Sequence, residues 1–134
     1  MEQQKNILEW SDIFSVGNDK IDIQHKRILN YINLLSSPPY NSVRNEEFHE
    51  LLAEISEYAL FHIKYEEELL RQLNYPDYEE HKKEHDNLIE NATLFSLNAE
   101  SHEIETPEQL RAFLISWWED HILVQDMKFK PFLL

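Results

Sequence analysis

The chain has 134 residues, no cysteine, a single glycine and a formal net charge of −14 at pH 7. Without cysteine, disulfides, zinc–thiolate sites, Fe–S clusters and thiol catalysis are excluded, and one glycine cannot build a glycine-rich phosphate loop. The acidic charge, with no basic stripe to offset it, makes nucleic acid an unfavourable partner.

Neither a membrane span nor a secretory leader is expected. No apolar run reaches the roughly 18 residues that a membrane helix needs, and the polar start Met1–Lys5 leads into no apolar segment. A cysteine-free chain also suits a reducing compartment. We therefore expect a cytoplasmic protein that contacts no membrane.

The predicted elements are an N-terminal arm over residues 1–18, four helices and a C-terminal tail over residues 127–134. Apolar residues recur at helical spacing over about 19–37, 43–73, 77–99 and 107–126. Turn and proline residues separate these stretches, and the apolar tail is expected to pack against the arm. Short connections between four amphipathic helices predict one all-α domain over 1–134, an antiparallel up-down-up-down four-helix bundle.

Histidines occupy the apolar faces of these helices. Seven histidines occur in the chain. Five of them fall on the predicted core faces and together touch all four helices: His25, His62, His81, His85 and His121. One such histidine usually finds an ordinary hydrogen bond, but each unpartnered imidazole costs roughly 1–3 kcal/mol, and a shared metal would satisfy all five. His49, about 20 Å along its helix from His62, and His102, in a polar connection, are expected at the surface.

The spacing of these residues predicts more than one metal ion. His81 and His85 are four residues apart, as are His62 and Glu66, so each pair projects from one helix face. With Asp126 near His121, the set contains five imidazoles and two carboxylates, more than one tetrahedral zinc can use. Nitrogen and oxygen ligands without sulfur favour iron or manganese.

Asp126 needs an irregular backbone to join this set. On a regular helix, a residue five positions after His121 points about 140° away from it. A π-type widening, or the end of the helix, would bring the carboxylate back to the same side. The sequence therefore predicts a helix irregularity between His121 and Asp126.

These motifs together resemble those of the bacterial hemerythrins over essentially the whole chain. The segments that carry the resemblance are Trp10 with Ser15–Gly17, then Ile21–Lys26, His62–Glu67, Tyr75-Pro76, His81–His85 and Trp117 through Asp126. Each motif is weak alone, but the ordered set at these spacings is specific, and all seven ligand positions of the family are filled.

The resemblance implies a non-haem di-iron centre with two iron ions (Fe2+/Fe3+) and an oxo or hydroxo bridge. His81, His85 and His121 would hold one iron, His25 and His62 the other, and Glu66 and Asp126 would bridge them. Dioxygen would bind reversibly at the iron with fewer ligands, which implies oxygen transport, storage or delivery and not an enzyme. The family more often has leucine where this chain has Trp118, so Trp118 is expected to wall the oxygen pocket.

Other functions use parts of the same pattern. His81–His85 also matches the inverted zinc-protease motif, but a protease needs a further acidic ligand and a substrate cleft. A ferritin-like di-iron oxidase would need two Glu-x-x-His motifs, and only Glu46–His49 matches. Two alternatives stay open: an oxygen or redox sensing module, and a protein that handles iron or nitric oxide. For a sensing module we expect a fused output domain, which the sequence does not show.

Overall fold

Residues 8–101 and 106–133 are described by the computed structural model, and they contain helices and no strand. A short 3-10 helix over Asp12–Phe14 precedes α1 (Asp19–Leu34), α2 (Glu46–Gln72), α3 (Tyr78–Glu100) and α4 (Thr106–Trp117). A π-helix over Trp118–Gln125 and a 3-10 helix over Asp126–Leu133 continue α4. The predicted all-α class is confirmed, and none of the described helices is long and apolar enough to cross a membrane. His102, predicted at the surface, lies outside the described residues.

The helix boundaries differ from the predicted ones at three places. α1 ends at Leu34 because the next residues turn ahead of Pro38-Pro39, and the hydroxyl of Ser36 donates to the carbonyl of Asn33 at 3.0 Å. α2 begins at Glu46 because Asn45 donates its side-chain amide to the carbonyl of Pro39 at 2.8 Å, which holds the connection in a turn. The predicted C-terminal tail is helical, with 3-10 geometry.

Two buried apolar clusters lie at opposite ends of the bundle. The larger cluster includes Ile28, Ile55, Leu88 and Leu114, one from each of α1 to α4. The smaller cluster consists of Val16, Ile21, Leu70, Tyr75 and Phe129, with Tyr78 packed against it. The chain runs from the smaller to the larger cluster along α1 and α3, and back along α2 and from α4 onward. This alternation confirms the predicted up-down-up-down bundle.

Residues of the N-terminal arm and of the C-terminal 3-10 helix meet at the smaller cluster. Val16 of the arm and Phe129 of the C-terminal 3-10 helix are fully buried there, which confirms the expected contact between arm and tail. Gly17 adopts φ 85°, a left-handed conformation that glycine takes without strain. The side chain of Asn18 then accepts a hydrogen bond from the Ile21 amide at 3.0 Å and caps α1.

We expect Asp22→Ala to loosen the arm from α1. One carboxylate oxygen of Asp22 accepts from the backbone amide of Val16 at 3.0 Å, and the other accepts from the hydroxyl of Ser15. Loss of both bonds should lower the free energy of unfolding by about 1–3 kcal/mol, measured by urea denaturation. The control is Asp19→Ala, an exposed acid of the same helical turn, which should cost less than about 1 kcal/mol. Equal losses in the two variants would contradict this role of Asp22.

Candidate metal centre

The seven predicted ligand residues meet between the two apolar clusters. Each is at most 4% exposed. His25 comes from α1, His62 and Glu66 from α2, His81 and His85 from α3, His121 from the π-helix and Asp126 from the start of the last 3-10 helix. They form two overlapping groups whose possible ligand atoms lie within 4.8 Å of one another: Glu66 with His81, His85 and His121, and Glu66 with His25, His62 and Asp126. We call these the three-imidazole half and the two-imidazole half.

Glu66 directs one carboxylate oxygen to each half. Its Oε1 lies 2.7 Å from Nε2 of His81 and 3.1 Å from Nε2 of His85. Its Oε2 lies 3.4 Å from Nε2 of His62 and 3.6 Å from Nε2 of His25. A carboxylate so placed can bridge two ions, with one oxygen on each.

The Asp126 carboxylate also directs one oxygen to each half. Its Oδ1 lies 3.0 Å from Nε2 of His81 and 3.2 Å from Nε2 of His121, in the three-imidazole half. Its Oδ2 lies 3.0 Å from Nε2 of His25, in the two-imidazole half. Both carboxylates therefore stand between the same two groups of imidazoles.

The backbone between His121 and Asp126 has the predicted irregularity. The π-helix covers Trp118–Gln125, and the amide of Asp126 donates to the carbonyl of His121, five residues earlier. In a π-helix, residues five apart lie one turn apart, so both side chains face the same side. The widened turn is what brings the Asp126 carboxylate to the centre.

The polar atoms at the centre fit bound cations. Among the described residues, Nε2 of His25, His62, His85 and His121, Oε2 of Glu66 and both carboxylate oxygens of Asp126 are buried without a hydrogen-bond partner. A buried polar atom without a partner costs roughly 1–3 kcal/mol, so this many would be strongly destabilising. Metal ions accept lone pairs from these same atoms, and the mixture of imidazole and carboxylate donors suits iron.

Burial and mutual attraction shift the pKa values at the centre. Burial opposes charge on His25 and His81, but Asp126 and Glu66 overcome it and raise the pKa of both imidazoles to about 9. For His62 burial prevails, and its pKa falls to about 4. Burial would raise the pKa of Glu66 and Asp126, but the imidazoles hold both values well below the ordinary range. Metal ions that bind here must therefore displace protons from imidazoles.

Three residues that the sequence analysis did not single out bind ligand histidines at the ring nitrogen that faces away from the centre. Each accepts a hydrogen bond from Nδ1 of a histidine on another helical element: Gln24 Oε1 from His62 at 2.7 Å, Glu67 Oε2 from His85 at 2.8 Å and Glu84 Oε1 from His121 at 3.1 Å. Each is adjacent in sequence to a ligand of its own helix, and this position next to a ligand was the one available signal. Since Nδ1 carries the proton, Nε2 presents its lone pair to the centre.

A largely apolar cavity reaches the two-imidazole half. It has a volume of about 190 Å³, lies between α1, α2, α3 and α4, and includes His62 and Trp117 among its lining residues. Trp118 is not one of its lining residues. The Trp118 indole is 3% exposed, donates to the carbonyl of His25 at 3.5 Å and packs edge-on against Phe14 with ring centroids 5.1 Å apart.

Trp117 lies beside the ligand histidines, whereas His49 lies away from them. Trp117 stacks on the imidazole of His121, with ring centroids 4.9 Å apart and an interplanar angle of 13°. His49 bonds through Nε2 to the carbonyl of Val43 at 2.7 Å and belongs to neither ligand group, as its distance along α2 predicted.

Comparisons with known proteins agree with this site. The model of the hemerythrin HHE cation-binding domain matches residues 16–133. A bacteriohemerythrin of Clostridium acetobutylicum is 28% identical over 128 residues, covering 90% of this chain and 96% of the relative. A hemerythrin-like protein of Naegleria gruberi is 30% identical over 124 residues, covering 92% of each. A crystal structure of wild-type hemerythrin superposes with a TM-score of 0.83 at 25% identity, over 95% of this chain and 98% of that one. The chain therefore belongs to the hemerythrin family, whose cofactor is a pair of iron ions.

Proposed function

We propose that this protein binds dioxygen reversibly at its di-iron centre and serves to carry, store or deliver it. The observation that supports this most is that two carboxylates each point one oxygen at a three-imidazole half and the other at a two-imidazole half. In this proposal His81, His85 and His121 would hold one iron, His25 and His62 would hold the other, and Glu66 and Asp126 would bridge them together with an oxo or hydroxo group.

The unequal halves favour binding over catalysis. An iron held by the two-imidazole half would have one protein ligand fewer, which would leave a position for dioxygen. The apolar cavity reaches this half at His62 and offers an environment suited to an apolar gas. A histidine-rich ligand set suits oxygen carriage better than oxygenase chemistry. One domain over 1–134 and a cytoplasmic location belong to the same proposal.

The test is a spectral titration of the iron-loaded full chain between anaerobic and aerobic conditions. A visible absorption band should appear when oxygen is admitted to the reduced protein and disappear when oxygen is removed. Immediate oxidation with no coloured species, even in stopped flow, would contradict a carrier role. That outcome would favour an oxidase or a redox sensor.

Trp118→Leu is expected to accelerate autoxidation severalfold. Although Trp118 does not line the apolar cavity, we propose that its indole walls the oxygen pocket on the side of His25, since it is buried and donates to the His25 carbonyl. Leucine would leave unfilled volume beside His25 and would admit water. The measurement is the decay of the oxygenated spectrum.

The matched control is Trp10→Leu. Trp10 packs against the same Phe14, with ring centroids 5.6 Å apart, but it is only partly buried in the arm. The Trp10→Leu variant should leave the decay rate of the oxygenated spectrum unchanged. If Trp118→Leu also leaves the decay rate and oxygen affinity unchanged, with iron content intact, Trp118 is ordinary core.

A further inference from the structure

The groups that accept hydrogen bonds from Nδ1 of the ligand histidines differ in charge between the two halves. In the three-imidazole half, carboxylates stand behind both His85 and His121. In the two-imidazole half, the neutral amide of Gln24 stands behind His62, and Nδ1 of His25 is buried with no hydrogen-bond partner among the described residues. The negative charge behind the imidazoles is therefore confined to one half.

This inequality changes how strongly each half donates to a cation. A carboxylate behind Nδ1 makes an imidazole a better electron-pair donor than an amide does, because the negative charge stabilises the positive charge that the metal induces on the ring. All three partners accept a hydrogen bond from Nδ1, so they orient the rings alike and differ only in charge. Burial decides how much of that charge is felt: the side chain of Glu67 is 17% exposed and that of Glu84 is 41% exposed.

We propose that Gln24, Glu67 and Glu84 are positioning residues that rank the two halves in metal affinity, so that the three-imidazole half loads first. The inference rests on the proposed di-iron centre and deepens it. Glu67 has the larger effect of the two acids because water screens it less. In the singly loaded protein, the ion then sits with His81, His85 and His121, and the half that faces the cavity is filled second.

The test is a titration of the metal-free full chain with Co2+, followed by its visible absorption and by calorimetry, which needs neither oxygen nor a change of oxidation state. The wild type should bind two ions in resolved steps. Glu67→Gln keeps an acceptor oxygen and removes the charge, so it should weaken the first step by about 10-fold to 100-fold and leave the second step in place. Glu84→Gln should do the same by a smaller factor. The reciprocal variant Gln24→Glu should tighten the second step.

Two further variants show which half binds the first ion and whether the effect is specific to Glu67. His62→Ala removes a ligand of the two-imidazole half, and the step that survives should have the wild-type first-step affinity; circular dichroism checks that the bundle is retained. Glu68→Gln, next to Glu67 but exposed and paired with Arg71, should change neither step. Step affinities that do not respond to Glu67→Gln and Gln24→Glu would overturn the ranking and leave the di-iron centre intact. Binding of fewer than two ions by the wild type would overturn both.

Discussion

Glu66→Ala should abolish binding of both metal ions. Glu66 is the one residue that belongs to both ligand groups, and its two oxygens face imidazoles of opposite halves. Alanine would leave each half short of a ligand and would leave five imidazoles facing a single carboxylate. Metal analysis of the iron-loaded protein should fall from two ions per chain to almost none.

The same change should weaken the metal-free fold. Removing one partner from a buried ion pair costs about 3–5 kcal/mol, and Glu66 is fully buried against protonated imidazoles. Chemical denaturation of the metal-free variant measures this loss. Glu68→Ala, two residues along α2 and exposed, should keep both the metal and the stability. Full iron content in Glu66→Ala would remove Glu66 from the site.

Removing the metal from the wild-type protein should lower its melting temperature by about 10 °C or more at pH 7. A tightly held ligand present well above its dissociation constant stabilises a fold by about 4 kcal/mol, and each kcal/mol corresponds to a few degrees in a chain of this size. The metal also satisfies the buried nitrogen and oxygen atoms that have no other partner. Thermal unfolding of iron-loaded and metal-free protein gives the difference directly.

The size of this difference should depend on pH. In the metal-free protein, the raised pKa of about 9 for His25 and His81 stabilises the fold below their ordinary pKa of 6.5, and this contribution is lost as pH rises through 9. Metal binding has the opposite dependence, because protons compete for the imidazoles as pH falls. The gap between the two melting temperatures should therefore widen from pH 5 to pH 9. A gap that stays constant would contradict proton competition at the centre.

Acid should act on the metal-free fold through the carboxylates as well. The lowered pKa values of Glu66 and Asp126 stabilise the fold above their ordinary range, and this contribution is lost as pH falls through that range. The lowered pKa of His62 adds to the loss, because the unfolded chain binds a proton that the buried imidazole refuses until about pH 4. The metal-free protein should thus be most stable near pH 6.5.

The sequence predicted which residues the fold brings together at the centre, because each of them has a local signature. His81 and His85 share a helix face by spacing alone, and an acid such as Glu66 on an apolar face is conspicuous. Even the widened turn before Asp126 followed from angular arithmetic. The partners Gln24 and Glu67 were not predicted, because each acts on a histidine of another helix, and sequence spacing carries no information about the register between helices.

The positions of the two tryptophans depend on the widened backbone that follows α4. The π-helix begins at Trp118, so the angle between Trp118 and His121 is not that of a regular α-helix. Trp117, not Trp118, is among the residues that line the cavity and stacks on His121. The outcome depends on the path of the backbone, which the pattern of apolar residues does not specify.

A polar layer divides this bundle, and that division bears on the cooperativity of folding. The seven buried ligand residues lie between the larger and the smaller apolar cluster. Without metal, the buried nitrogen and oxygen atoms that lack a hydrogen-bond partner weaken the coupling between the two clusters, and we expect unfolding in more than one step. Ions held by residues of α1, α2, α3, the π-helix and the last 3-10 helix would join the two clusters into one unit, which we expect to melt in a single step. Bound metal would then make unfolding of the whole bundle cooperative, in addition to its chemical role.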